Sequence, residues 1–161
     1  MGGVHDAETT PPDARRPSDE DDRRWMARAC DLARRCPPSD TAFSVGAVIV
    51  AGGEVVGEGW SRAEDSHDHA EEVALRQAGP AARGAVAYSS MEPCARRASR
   101  PRPCARLLAE AGVARVAYAL PEPANFVDAP GGDAYLRENG VLVTEMPEFA
   151  AAAEAPNAHL L

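Results

Sequence analysis

The sequence predicts an α/β fold in which a mixed five-stranded sheet carries helices on both faces. Five short runs rich in Val, Ile and Ala are predicted strands, and helix-forming runs separate most of them. Gly52-Gly53 joins the first two strands as a hairpin, whereas each later strand follows a helix, the connection that parallel strands require. At 161 residues the chain suits a single domain with a substantial core.

The first predicted elements are a helix and a hairpin. Ser18 and Asp21 stand three residues apart, a spacing that can cap a helix, and Pro37 stops that helix. The two strands around Gly52-Gly53 are rich in β-branched residues, which favour extended structure. The predicted ranges are helix 21–36 and strands 44–51 and 54–60.

Three helices alternate with three strands in the rest of the domain. Gly79-Pro80 ends the first of these helices and Gly112 ends the second, since glycine often closes a helix. The short apolar runs between the helices are predicted strands. The predicted ranges are helix 70–78, strand 85–89, helix 104–112, strand 114–120, helix 134–139 and strand 141–144.

The two ends of the chain lack a periodic pattern. Residues 1–19 combine Gly, Pro, Thr, Asp and Arg and are predicted to form a disordered tail. Residues 148–161 are rich in Ala and are predicted to form a flexible C-terminal tail. The folded domain is therefore expected to span 20–147.

Composition and charge narrow the possible classes of function. The net charge is −8, and phosphate contacts dominate nucleic-acid affinity, so no nucleic-acid partner is expected. No apolar run is long enough to cross a bilayer, and the polar N-terminus is unlike a signal peptide, so no membrane association is expected. Four cysteines without an export signal favour a cytoplasmic location.

One group of residues has the composition of a catalytic metal site. His69-Ala70-Glu71 opens a predicted helix, Cys94 follows a predicted strand, and Cys104 opens another helix. One imidazole and two thiolates supply the three protein ligands of a catalytic zinc, and water takes the open position. His-x-Glu followed by Pro-Cys and a further Cys is typical of zinc nucleobase deaminases, although nine residues, and not two, separate these cysteines. Two buried thiols, or a disulfide in a secreted chain, are the alternative.

The carboxylate beside the histidine is the candidate proton carrier. Hydrolytic deamination moves a proton from the attacking water to the ring and then to the leaving amine. Glu71, two residues after His69 near a helix start, can face the water without binding the metal. Glu72 is one residue further round the helix and is expected to point elsewhere.

Similarity to one known protein family extends beyond the metal motif and covers most of residues 25–150. The chain resembles the cytidine/deoxycytidylate deaminase superfamily and, within it, the fungal-type pyrimidine deaminases of riboflavin biosynthesis. The resemblance implies a cytidine-deaminase-like three-layer fold, a zinc cofactor held by His69, Cys94 and Cys104, and Glu71 as acid and base. The matching stretches are TAFSVGAV (41–48), GWSR (59–62), HAEEVAL (69–75), YSSMEPC (88–94), RPC (102–104) and EPANFV (122–127).

The same resemblance implies the substrate. These enzymes remove a ring amino group from a diaminopyrimidinone that carries a phosphorylated ribosyl or ribityl chain, and a homodimer is expected. Ser61 stands where bacterial bifunctional members carry a histidine, which fits the fungal type. Clustered guanidinium groups between Cys94 and Cys104 suit the phosphate. The predicted substrate-binding residues are Ser61, Ser90, Arg96, Arg97, Arg100 and Arg102.

Two further functions remain open from the sequence. The stretch Phe43 to Ala47 is also similar to cytidine deaminases, so a deaminase of cytidine, deoxycytidylate or a nucleoside antibiotic is an alternative. A non-catalytic, zinc-stabilised partner subunit is the third hypothesis. Glu71 argues against the third, because a subunit without activity does not need a proton carrier.

Overall fold

The computed structural model describes residues 19–96, 102–123 and 131–161. Its helices and strands follow the predicted order and add a helical C-terminal segment. The helices are α1 (Asp19–Ala33), α2 (Ala70–Ala78), α3 (Cys104–Ala111), α4 (Gly132–Glu138) and α5 (Ala150–Glu154), and the strands are β1 (Gly46–Ala51), β2 (Glu54–Trp60), β3 (Val86–Met91), β4 (Arg115–Leu120) and β5 (Leu142–Glu145). Short 3-10 segments span Gly79–Ala82, Pro147–Phe149 and Ala155–Leu160.

The five strands form one mixed sheet in the order β2-β1-β3-β4-β5. Strand β1 is antiparallel to both β2 and β3, whereas β3, β4 and β5 run parallel. The predicted mixed sheet is therefore confirmed. Because β3 and β4 are parallel neighbours, the residues that follow them emerge side by side at one edge of the sheet.

Helices cover both faces of the sheet, as predicted. Alternate residues of β1 point to opposite faces, so Ile49 belongs to one core cluster and Val48 to the other. The first cluster packs under α2, α3 and α4, and the second packs under α1 and α5.

A glycine sets the position of the helix that begins at the candidate metal site. A Cβ on Gly59 of β2 would lie 2.4 Å from the carbonyl oxygen of Ala70, at the start of α2. No side chain fits at that distance, so the glycine allows the first turn of α2 to lie directly on the sheet. This contact fixes His69 and Glu71 relative to the strands.

The predicted flexible tail over 148–161 is wrong. Residues 147–160 form consecutive helical segments. Ala153 is buried in the second core cluster, and Phe149 packs against it. Asn157 is 1% exposed and bonds to the chain ahead of β1. The Ala-rich sequence hides this packing because small residues produce little contrast between a buried and an exposed face.

The N-terminal boundary differs slightly from the prediction. Helix α1 begins at Asp19 instead of Asp21 and ends at Ala33, three residues before the predicted end. Residues 1–18, including the predicted cap at Ser18, lie outside the described residues. No helix in the described part of the chain is long and apolar enough to cross a membrane.

Candidate metal centre and active site

Three side chains from separate elements meet at the edge where β3 ends. His69 precedes α2, Cys94 follows β3, and Cys104 begins α3. His69 Nδ1 lies 3.6 Å from Cys94 Sγ and 3.4 Å from Cys104 Sγ, and all three ligand atoms lie within 4.8 Å of one another. The structure therefore brings together the three predicted ligands.

These separations fit a tetrahedral zinc site. With Zn–S bonds of about 2.3 Å and Zn–N bonds of about 2.0 Å, neighbouring ligand atoms of a tetrahedron stand about 3.5–3.8 Å apart. Both cysteines are buried and His69 is half-buried. The donor set of one imidazole and two thiols is one that zinc prefers, and the residues fit that metal.

The cluster favours the thiolate form of Cys94. The side chain of Cys104, opposing the effect of burial and assisted by His69, lowers the pKa of the Cys94 thiol to about 4. The Cys104 backbone N–H, at the start of α3, also donates to Cys94 Sγ at 3.3 Å. A thiolate is the form that binds metal, so this arrangement prepares Cys94 as a ligand.

Glu71 shares the cavity with the metal cluster. Its side chain is buried, and burial together with the nearby Cys94 charge raises the pKa of its carboxyl group. The Ser89 hydroxyl donates to the Met91 carbonyl oxygen at 2.7 Å and lies 3.1 Å from Glu71 Oε2. Glu72 points elsewhere, as expected, because its Oε1 accepts the His69 backbone N–H at 2.8 Å.

Glu92 and Glu122 were missed by the sequence analysis and also line this cavity. Glu92 accepts the backbone N–H groups of Glu122 and Asp133 at 3.1 and 2.9 Å. Glu122 Oε1 is buried without a hydrogen-bond partner in the described residues. Burial, reinforced by Cys94, Glu92 and Glu71, raises the pKa of Glu122 to about 7. The available signal was the repeated Glu-Pro after two neighbouring parallel strands, at 92–93 and 122–123.

The remaining predicted site residues have different surroundings. Ser61 lines the cavity, and its hydroxyl accepts the Val45 N–H at 2.9 Å. Ser90 is buried and accepts the Gly46 N–H at 3.0 Å, so its hydroxyl is used within the sheet. Arg96 is exposed, and Arg102 forms an exposed ion pair with Glu110 at 3.3 Å. Arg97 and Arg100 lie outside the described residues.

A side chamber adjoins the active cavity. It shares Phe43, Ser61 and His69 with that cavity and extends along Arg62 and the 66–68 loop. The Arg62 guanidinium donates to the carbonyl oxygens of Pro37 and Phe43. The chamber offers space for a substituent on a ring that lies beside the metal cluster.

Comparisons with known proteins agree with this geometry. Residues 19–120 match the family model described as the cytidine and deoxycytidylate deaminase zinc-binding region. The structure of Acinetobacter baumannii RibD superposes with a TM-score of 0.77 at 37% identity, covering 86% of this chain and 38% of that one. The predicted three-layer fold is therefore confirmed.

Two curated relatives have the same deaminase name. The diaminohydroxyphosphoribosylamino-pyrimidine deaminase of Schizosaccharomyces pombe is 38% identical over 130 residues, which make up 78% of this chain and 32% of that protein. The protein of that name in Buchnera aphidicola subsp. Schizaphis graminum is 35% identical over 123 residues, covering 76% of this chain and 82% of the relative. Because the family model matches residues 19–120, which are more than half of the chain, the chain belongs to the cytidine and deoxycytidylate deaminase family.

Proposed function

We propose that this chain is a zinc-dependent hydrolytic deaminase that removes a ring amino group from a phosphorylated diaminopyrimidinone of riboflavin biosynthesis or a closely similar intermediate. The observation that carries the proposal is the buried carboxyl group of Glu71 in the same cavity as the His69, Cys94 and Cys104 cluster. The relatives' names support the choice of substrate class.

His69, Cys94 and Cys104 hold the zinc in this proposal. Zinc, when bound, supplies the Lewis acidity that makes water nucleophilic near neutral pH. The cluster's three ligands leave one coordination position for the reaction, which is the arrangement of catalytic zinc sites. Burial of both thiols excludes bulk solvent from the protein side of the cluster.

Glu71 moves the protons. Its raised pKa brings the carboxyl group closer to the operating pH, which suits a group that must accept a proton and then release it. The Ser89 hydroxyl lies 3.1 Å from Oε2 and contacts one side of the carboxyl group. Glu71 accepts one proton from the attacking water and delivers it to a ring nitrogen. It then accepts the proton of the added hydroxyl group and delivers that proton to the departing amine.

The cavity walls recognise the pyrimidine ring. Phe43 and Met91 supply apolar surface, and Glu122 Oε1, which has no hydrogen-bond partner among the described residues, accepts an N–H of the ring or its amino substituents. The side chamber beyond Ser61 receives the sugar-derived chain. Arg96, Arg97, Arg100 and Arg102 are the candidate phosphate ligands, and Ser61 and Ser90 position the backbone around the site.

An ammonia-release assay tests the proposal. The zinc-loaded protein is given the diaminopyrimidinone phosphate, its dephosphorylated form, cytidine and deoxycytidylate. Preference for the pyrimidinone phosphate supports the proposal. Efficient turnover of cytidine or deoxycytidylate alone would establish the nucleoside or nucleotide alternative, and no turnover with full zinc occupancy would favour the non-catalytic subunit.

A homodimer in the cytoplasm remains a prediction, which light scattering and cell fractionation can test.

A further inference from the structure

The three residues ahead of β1 form part of the cavity wall. Phe43 and Val45 line the active cavity, and Ser44 between them is buried. The Val45 carbonyl oxygen accepts the Ser61 backbone N–H at 3.0 Å, which extends the β1–β2 pairing by one residue, whereas Phe43 and Ser44 lie before it. The conformation of Phe43 and Ser44 depends on contacts with side chains from other parts of the chain.

Asn157 bonds to both sides of Ser44. Its Oδ1 accepts the Ser44 N–H at 2.6 Å, and its Nδ2 donates to the Ser44 carbonyl oxygen at 2.9 Å. One side-chain amide thereby satisfies the donor and the acceptor of a residue 113 positions away, as a neighbouring strand would. Asn157 is 1% exposed, so water cannot readily replace either bond.

The loop after β2 holds the same stretch from another side. Arg62 donates to the Phe43 carbonyl oxygen at 3.0 Å and to Ser44 Oγ at 2.8 Å, while Ser61 Oγ accepts the Val45 N–H. Arg62 itself has a φ of 58°, an unfavourable conformation for a residue with a side chain. Such a loop keeps its shape only when its contacts hold it in place.

We propose that Asn157 is a positioning residue for the deaminase site, through which the C-terminal turn Ala155–Leu160 holds the Phe43 wall against the pyrimidine ring. The proposal rests on the proposed function for the identity of the ring. The bonds of Asn157 go to Ser44 and Ala153, and not to His69, Cys94 or Cys104. Loss of the Asn157 amide therefore loosens the ring-binding wall and leaves the metal cluster intact.

The test compares Asn157→Asp, Asn157→Ala and Asn139→Ala. Asn157→Asp keeps the shape and the oxygen that accepts from Ser44 N, but places a second oxygen against the Ser44 carbonyl. Asn139 is a matched control, because it is exposed and its amide donates to the carbonyl oxygen of Tyr135 in α4. The measurements are kcat, KM, zinc per chain, melting temperature, and hydrogen exchange of a peptide covering 39–45.

Asn157→Asp loses the bond to the Ser44 carbonyl oxygen and is expected to raise KM about tenfold, while Asn157→Ala loses both bonds and should raise KM by at least as much; kcat stays within about twofold in both. Zinc per chain is unchanged, and exchange at 39–45 accelerates. A purely structural role would lower the melting temperature without changing KM below the unfolding range, and that result overturns the proposal. Asn139→Ala should behave as the unaltered enzyme.

The kinetic measurement uses whichever ring amine the unaltered enzyme deaminates, so a wrong substrate assignment does not affect it. His159→Ala is a milder variant in case both Asn157 variants fail to fold, because His159 Nε2 contacts the Ser39 carbonyl oxygen at 2.7 Å on the exposed side of the same turn. It should raise KM by a smaller factor and accelerate exchange at 39–45. Unchanged exchange and KM in the folded variants would disprove the role of the C-terminal turn.

Discussion

Asp22 on one side, and Glu71 with Glu122 on the other, are acidic residues in very different surroundings. Asp22 of α1 is held by Arg115 through two bonds of 3.0 and 2.8 Å and accepts the Tyr88 hydroxyl at 2.6 Å. Glu71 and Glu122, at the carboxyl edge of the parallel strands, face the metal cluster without an arginine partner among the described residues. The first group is neutralised by a cation, whereas the second is not.

The presence or absence of the neighbouring arginine is accompanied by different pKa shifts in the two groups. Burial and the Asp22 hydrogen bond raise the pKa of Tyr88 far above its usual range, so it stays a neutral donor. Around the cavity, burial raises the pKa of Glu71 and raises the pKa of Glu122 to about 7, so Glu122 can exchange a proton near neutral pH. The comparison indicates that the Asp22 network serves stability and that the cavity acids serve chemistry at a cost in stability.

Removing the metal ligands should give the largest effect. The double substitution Cys94→Ala with Cys104→Ala leaves only His69 of the cluster, so zinc binding and deamination are expected to be lost together. Metal analysis of purified protein and the ammonia assay measure both. Cys30→Ala, which removes a buried thiol of α1, is the matched control and should keep zinc. Stoichiometric zinc in the double variant would show that the ligands are wrongly assigned.

Glu71→Gln should abolish most of the activity and leave the zinc in place. Proton transfer by a positioned carboxyl group typically contributes about 10²–10⁴-fold, so kcat should fall by that factor. Glu72→Gln is the control, since its amide oxygen can still accept the His69 N–H and kcat should change much less. Equal losses in both variants would mean that Glu71 is not the proton carrier.

Local sequence signals account for much of the fold. Strand β2 and helix α2 have the predicted bounds, Glu54–Trp60 and Ala70–Ala78, because glycines mark the start of one and the end of the other. The three candidate ligands could be recognised because one His and two Cys at strand ends and helix starts have few functions together other than metal binding. The local sequence around each residue was therefore enough to predict the metal site.

Long-range contacts account for what the sequence did not reveal. The C-terminal turn depends on Asn157 meeting Ser44, and no local pattern records a pairing between such distant residues. Glu122 appears as an ordinary loop residue until β3 and β4 are known to be neighbours. The substrate-binding roles of the loop arginines remain predictions, since Arg96 is exposed, Arg102 pairs with Glu110, and Arg97 and Arg100 lie outside the described residues.

Removing Asp22 from its bonds with Arg115 and Tyr88 should lower stability and leave catalysis unchanged. Asp22→Ala leaves the Arg115 guanidinium and the Tyr88 hydroxyl buried without their acceptor, which should lower the free energy of unfolding by about 3–5 kcal/mol. Urea denaturation measures the loss, and kcat/KM of the folded protein should remain near the unaltered value. Asp31→Ala removes an exposed ion pair on the same helix and should cost about 0–1 kcal/mol. A large loss of activity in folded Asp22→Ala would contradict the division between the two groups.

Substitution of the arginines between Cys94 and Cys104 should lower kcat/KM only for phosphorylated substrates. A charge-assisted contact contributes about 1.5–3 kcal/mol, so substitution of an arginine that binds phosphate should lower kcat/KM about tenfold or more. Arg96→Ala and Arg102→Ala are compared with Arg106→Ala, because Arg102 and Arg106 share Glu110 as a partner but only Arg102 lies in the predicted loop. The effect should vanish on the dephosphorylated substrate. Equal effects on both substrates would exclude phosphate recognition by these residues.

The smallest expected effect is a change in how stability depends on pH at Glu122. Its folded pKa of about 7 lies above the ordinary value of 4.5, so its contribution to stability is complete below pH 4.5 and is lost as pH rises through 7. Burial, the largest cause, persists when metal is bound. Glu122→Gln resembles the protonated acid, so its melting temperature should match the unaltered protein near pH 5 and exceed it at pH 8. Glu58→Gln is the contrasting control, because the Arg28 hydrogen bond lowers the pKa of Glu58. This variant should be less stable than the unaltered protein by a constant amount from pH 5 to 8, and the difference should shrink only below about pH 4.5. If the melting temperatures of Glu122→Gln and the unaltered protein change in parallel from pH 5 to 8, the cavity does not raise the pKa of this carboxyl group. The contrast with the Asp22 network would then rest on Glu71 alone.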